Sequence, residues 1–208
     1  MNKRLSLLTA ALLLTGASSA FAASSTDLTV TGIITPVACT PSLANGGVVD
    51  YGKRSAKDLN PTTPTHLGVE ILQLNVNCNA STRFAISTFD NRKNTASGAS
   101  FGLGQINTNE KLGGYDLGFR NPVADAPVSV LWSGNEGDTW DRFDADTVIA
   151  PHHWIAFGTR TDTVWAPDFL QNVTLDVAID TIIAPANSLT LTDEVTLDGS
   201  ATLQIEYL

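Results

Sequence analysis

Residues 195–207, near the end of the chain, have the sequence VTLDGSATLQIEY. Apolar or small residues alternate in it with polar residues over its whole length. Successive side chains of a β-strand point to opposite faces of the sheet, so this alternation predicts a C-terminal strand with one apolar and one polar face.

The same alternation recurs upstream. Val173, Leu175, Val177 and Ile179 alternate with Thr174, Asp176 and the small Ala178, and a turn is predicted at 185–188. Nowhere does an apolar period of 3.6 residues persist beyond two turns, so the chain is predicted to be all-β.

Residues 69–86 carry a similar pattern with an irregularity. The apolar residues change phase between Ile71 and Leu72, which predicts a bulge there or burial on both faces. A turn is expected at 79–81, before Phe84 and Ile86 continue the alternation. Residues 90–168 are rich in glycine and predict an insertion of hairpins and long loops, with short strands at 128–132 and 154–158.

The first 22 residues are typical of a signal peptide. Lys3 and Arg4 precede an apolar run over 5–14, and Ala20-Phe21-Ala22 supplies a small-x-small cleavage site. The run is too short to span a bilayer permanently, and no later stretch approaches about 20 apolar residues. The sequence therefore predicts an exported chain without a membrane span once the signal is cleaved.

Composition narrows the function classes further. With 12 basic and 21 acidic residues, the formal charge is −9, which argues against nucleic-acid binding. An oxidising compartment would favour pairing of Cys39 with Cys78, and closing that loop would stabilise the fold by about 4 kcal/mol in the chain-entropy model. Two free buried thiols are the alternative.

Several of these segments together resemble a chaperone-usher pilus (fimbrial) subunit, in particular the divergent fimbria-like branch of that superfamily. The resemblance rests on the signal peptide, GIITPVAC at 32–39, LNVNC at 74–78, and the closing alternating strand with Tyr207 next to its end. It covers the signal, residues 28–86 loosely and the last forty residues, and leaves the middle unmatched.

The resemblance implies an immunoglobulin-like β-sandwich over residues 32–208 that lacks its last strand, with a disulfide joining Cys39 and Cys78. Residues 23–31 would be a short N-terminal extension, with Leu28 and Val30 as donor-strand residues. The strand that lines the groove and pairs with the chaperone would contain Val195, Leu197, Ala201, Leu203, Ile205 and Tyr207.

The implied function is that of a structural subunit assembled by donor-strand exchange and contributing to adhesion. Its partners would be a periplasmic chaperone, an outer-membrane usher and neighbouring subunits, and its location first the periplasm and then the surface fimbrium. The alternative is a self-complete periplasmic or surface domain that recognises glycan.

That alternative depends on a cluster of four tryptophans within 34 residues: Trp132, Trp140, Trp154 and Trp165. Their rings could stack on sugars while Asn135, Asp138 and Asp141 bond hydroxyl groups; the competing interpretation is that they pack the middle region onto the sandwich. The acidic loop at 141–146 and the pair His152-His153 lack a complete metal-site pattern. We find no catalytic or cofactor motif, so an enzyme is not expected.

Overall fold

The computed structural model describes residues 28–32, 37–144 and 146–208. Residues 28–32 belong to one compact unit and the remaining described residues to a second. In the first unit, residues 28–32 carry no assigned strand, and Leu28 and Val30 are 88% and 87% exposed. The predicted signal peptide, residues 1–22, lies outside the described residues.

The second unit consists of strands joined by loops and three short 3-10 helices. The helices are Ala44–Gly47, Ala56–Asp58 and Ala186–Ser188. The strands are β1 (Cys39–Leu43), β2 (Thr65–Thr82), β3 (Phe84–Asp90), β4 (Phe101–Gly102), β5 (Gln105–Ile106), β6 (Glu110–Lys111), β7 (Gly113–Ala124), β8 (Ser129–Ser133), β9 (Asp141–Arg142), β10 (Trp154–Thr161), β11 (Val164–Pro167), β12 (Leu170–Ile183) and β13 (Ala201–Tyr207). Across the described ranges, none of the helices has the length and apolar character needed to cross a membrane.

Two antiparallel sheets enclose the core. Sheet A has the strand order β1-β2-β12-β7-β4, and sheet B the order β13-β3-β10-β8-β9, with β11 also paired to β10. The strands β5 and β6 form a separate small hairpin. The predicted all-β sandwich is confirmed.

The inward faces of the two sheets supply the core. In β12, Val173, Leu175 and Val177 are buried, as their alternation predicts, and Phe119 of sheet A and Phe157 of sheet B are each only 1% exposed. Polar residues between them face outward, because side chains in a strand alternate between faces.

A disulfide joins Cys39 to Cys78. The two residues lie directly opposite each other in the pairing of β1 with β2. The bridge therefore fastens the edge strand of sheet A to its neighbour, and the described residues contain no free cysteine.

The middle of the chain contributes strands to both sheets. Residues 90–168 supply β7 to sheet A and β8 and β10 to sheet B, besides the short hairpins. Gly113 opens β7 with a φ of +143°, and a Cβ there would collide with the carbonyl oxygen of Ile182 in β12. Glycine is required at this position by close strand packing, although it resembles a loop signal in the sequence.

Neither predicted explanation for the phase change at Ile71 and Leu72 is correct. The pairing of β2 with β12 continues through both residues without a register shift, and the shift lies instead near Gly68. Val69 and Ile71 point to the outer face of sheet A, where they are 48% and 56% exposed. The expected turn at 79–81 is also displaced, because β2 continues to Thr82 and the chain turns at Arg83.

The terminal strand is shorter than the predicted 195–207. It begins at Ala201, because residues 195–200 leave the edge of sheet B and pack toward sheet A. The Asp198 N–H donates to the Leu103 carbonyl at 3.0 Å. Gly199 lies so close to Leu103 and Tyr115 that a Cβ there would come within 3.0 Å of both side chains. Val195 and Leu197 thus precede the strand instead of belonging to it.

Candidate functional site

The edge strands β1 and β13 border an open groove between the two sheets. Two cavities of about 450 Å³ and 290 Å³ lie along it and share Val49, Tyr51 and Leu197 in their walls. Leu43 of β1 and Leu203 of β13 both line the smaller cavity. At one end the groove is bridged by a hydrogen bond of 2.8 Å from the Cys39 N–H to the Tyr207 hydroxyl.

Among the described residues, the backbone of β13 pairs with β3 alone. The Ser200 carbonyl accepts from the Asn91 N–H, and the Leu208 N–H donates to the Arg83 carbonyl, so even-numbered residues of β13 bond toward β3. In an antiparallel pair the alternate residues, here the odd-numbered ones, direct their backbone N–H and C=O groups away from the partner strand. These residues are Ala201, Leu203, Ile205 and Tyr207.

The backbone of β1 likewise has one side that is not paired with another described strand. The Ala38 carbonyl accepts from the Asn79 N–H, which places Cys39, Pro41 and Leu43 in the phase that faces away from β2. Proline has no N–H to donate, and its position on the unpaired side of an edge strand costs the ladder no hydrogen bond.

Apolar side chains line the groove. Leu203 and Ile205 are half-buried against the core, and Tyr207 remains 44% exposed. Leu197 and Val195 line the larger cavity, together with Leu67, Leu112, Ile183, Leu189 and Leu191. Four of the sequence-predicted groove residues, Val195, Leu197, Ala201 and Leu203, therefore line these cavities, and Val195 and Leu197 do so from outside the strand.

Ion pairs hold the segment that precedes β13. The Arg92 guanidinium donates to both carboxylate oxygens of Asp198, at 2.8 and 2.6 Å, and these bonds hold the pKa of Asp198 below its usual value. Lys53 and Glu194 form an exposed pair at 3.2 Å on the rim of the larger cavity. The first pair fixes the point where the chain enters the strand.

Four hydroxyl side chains, those of Tyr51, Tyr115, Thr181 and Ser200, interrupt the apolar lining of the smaller cavity, and Ser200 Oγ already accepts from the Asn91 side chain at 3.1 Å. Tyr51, Tyr115 and Thr181 all line the smaller cavity, and the Tyr51 hydroxyl donates to Thr181 Oγ1 at 3.0 Å. Burial raises the pKa of Tyr51 and, more strongly, the pKa of Tyr115. Sequence reasoning missed this cluster, since no local pattern brings residues 51, 115 and 181 together.

Three of the four tryptophans share one cluster, and the fourth lies on the opposite face of the same sheet. Trp132 faces the core side of sheet B, where its ring lies 5.4 Å from that of His153. Trp140, Trp154 and Trp165 cover Ala85, Leu131 and Ala156 on the outer face of that sheet. All four are partly buried, which fits packing, and a role in glycan binding stays a prediction.

Asn135, one of the polar residues expected beside the tryptophans, bonds within its own loop. The Asn135 side chain accepts from Ser133 Oγ at 2.7 Å and from the Thr139 N–H at 3.1 Å. In the part of the chain that the structure describes, no three His, Cys, Asp or Glu side chains are grouped to hold a metal ion.

Comparisons with known proteins give similarities over most of the chain. A family model described as "Protein of unknown function (DUF1120)" matches residues 28–100. Protein GltF of Escherichia coli strain K12 is 27% identical, in an alignment that covers 91% of this chain and 92% of that protein. Uncharacterized protein YhcF of the same strain is 25% identical over 92% of this chain and 94% of that protein.

Proposed function

We propose that the chain is a fimbrial-type structural subunit, assembled on the bacterial surface by donor-strand exchange and contributing to adhesion. The observation that carries this proposal is the free edge of β13 beside an apolar groove. A strand from another chain would bond to the outward-directed backbone groups of that edge and place every second side chain in the groove.

In this proposal a periplasmic chaperone fills the groove first, and a neighbouring subunit replaces it at an outer-membrane usher. An unpaired edge beside an apolar groove promotes aggregation, which gives a reason for a chaperone. Leu28 and Val30 are the donor residues offered to the next subunit. The predicted signal peptide and the Cys39–Cys78 disulfide support export, because disulfides persist in oxidising compartments.

The work of the protein is then structural and needs neither catalysis nor a cofactor. β13 offers an N–H and a C=O from each of four residues, and these bonds would contribute about 4–12 kcal/mol in total. Ordering a seven-residue strand costs about 7–14 kcal/mol. At the midpoints of these two ranges the bonds offset most of the ordering cost but not all of it, and the groove supplies the difference by burying apolar side chains, at about 1.5–3 kcal/mol each.

The test is electrophoresis of the chain from the native cell surface, in SDS with and without boiling. Strand-exchanged subunits should give a ladder that collapses to the monomer only after heating, because strand release requires slow unfolding. The Gln204→Asp variant, changed at an exposed position on the outer face of sheet B, serves as a control and should keep the ladder. A monomer band in both lanes, with the chain recovered free from the periplasm, would instead identify a self-complete domain.

A further inference from the structure

A cluster of hydroxyl side chains lies within the smaller cavity of the groove. Thr181 of β12 is 2% exposed and lies directly opposite Tyr115 of β7, with both side chains on the inner face of sheet A. Tyr51 approaches from the loop that follows β1, where its hydroxyl reaches Thr181 Oγ1 at 3.0 Å and the Gly68 carbonyl at 3.5 Å. This site is defined by Tyr51, Tyr115 and Thr181.

Within this site, the Tyr115 hydroxyl is the group left without a partner. Its ring is held in place by stacking on Phe101 at 5.3 Å and by Gly199 against its edge, and the residue is 7% exposed. Among the described residues, the Tyr115 hydroxyl forms no hydrogen bond. It is nevertheless not fully enclosed, because the one fully enclosed side-chain atom without a partner among these residues is Arg120 Nε. The Tyr115 oxygen therefore still touches solvent, and the open space that its ring lines is the groove.

We propose that Tyr115, with Thr181 and Tyr51, selects the donor strand of a second copy of this chain by requiring a hydroxyl or carboxamide side chain at one inward-facing position. This inference rests on the strand-acceptor function proposed above. An apolar side chain at that position would remove water from the Tyr115 hydroxyl without replacing its hydrogen bond, and a buried polar group left unpaired opposes binding. Thr, Ser or Asn would replace the water with a direct bond.

The test uses the full mature chain and labelled synthetic peptides based on residues 23–34. Each inward-facing position of the peptide is occupied in turn by Thr or by Val, which have nearly the same shape and differ by the hydroxyl group. Binding is measured by fluorescence anisotropy. At one position the Thr peptide should bind about fivefold more tightly than the Val peptide, the equivalent of one hydrogen bond of about 1 kcal/mol.

Two tyrosine variants make the test specific. Tyr115→Phe should remove or reverse the preference for Thr, because it deletes one oxygen and keeps the ring. Tyr207→Phe is the matched control, because its hydroxyl already accepts the Cys39 N–H at the end of the groove, and the preference should persist. Circular dichroism and urea unfolding check that both variants fold.

The outcomes separate this inference from the function on which it rests. If the peptides bind but Val is preferred at every position, or if the preference for Thr survives in Tyr115→Phe, the selection by Tyr115 is refuted while strand acceptance stands. If no peptide binds the folded wild-type chain, strand acceptance is refuted and the selection with it.

Discussion

A charged residue on the groove side of β13 should abolish strand exchange, whereas the same residue one position further along should not. Leu203 points into the groove and is half-buried, while its neighbour Gln204 lies on the outer face of sheet B. Leu203→Asp would forfeit about 1.5–3 kcal/mol of apolar burial in the filled groove. It would also bury an unpaired carboxylate, which costs several kcal/mol.

The sum is about 5 kcal/mol, so affinity for an incoming strand should fall more than about a thousandfold. In the control Gln204→Asp, the hydrogen bond of 2.9 Å to Glu206 is lost and a like charge is added at the surface. That change should cost less than about 1 kcal/mol. The assay is the fraction of chain in the unboiled SDS ladder, with urea unfolding of each variant as a check on folding. Equal ladders from the two variants would refute the assignment of this groove.

Three further changes test the fold around the groove. Replacing both Cys39 and Cys78 by Ala should lower the free energy of unfolding in urea by about 4 kcal/mol, since it frees a loop with a sequence separation of 39; a loss under about 1 kcal/mol would contradict this. Trp154→Ala should cost about 2–4 kcal/mol in the same titration, because the ring covers small side chains on sheet B. Hydrogen bonds from two backbone N–H groups of β12 lower the pKa of Asp125 from its ordinary value of 3.8. The ionised carboxylate therefore stabilises the folded chain above that pH, and this stabilisation is lost as the pH falls through the lower pKa of the folded state. Asp125→Asn should therefore show a flatter acid limb in stability measured against pH, and an unchanged limb would exclude this contribution.

Period-2 alternation made the long strands predictable. Val173, Leu175 and Val177 lie in a central strand with a partner on each side, so every inward residue meets the core and the pattern is unambiguous. Pairing of Cys39 with Cys78 was also accessible, because the chain has two cysteines and a predicted export signal. These features depend on local pattern or on composition.

The features that the sequence did not predict depend on contacts between distant segments. Residues 195–199 alternate as a strand would, but Asp198 is held by Arg92 and Gly199 packs against Tyr115, so they leave the sheet. The glycines that begin β7 resemble a loop signal in the sequence. Gly113 is needed there because a Cβ would collide with a carbonyl of β12, which lies some seventy residues away in the chain. The polar site in the groove has the same origin, since it joins three parts of the chain with no shared motif.

The pairing of β13 with β3 also affects the rate of folding. Ala201 lies opposite Asp90 and Tyr207 opposite Phe84, so this edge of sheet B closes only when residues more than a hundred positions apart meet. Contacts of such long sequence separation slow folding, because the entropy of closing the intervening loop is lost before the contacts form. Until β13 arrives, β3 is itself an unpaired edge, and the interval before closure is when the chain is most open to pairing with the wrong strand.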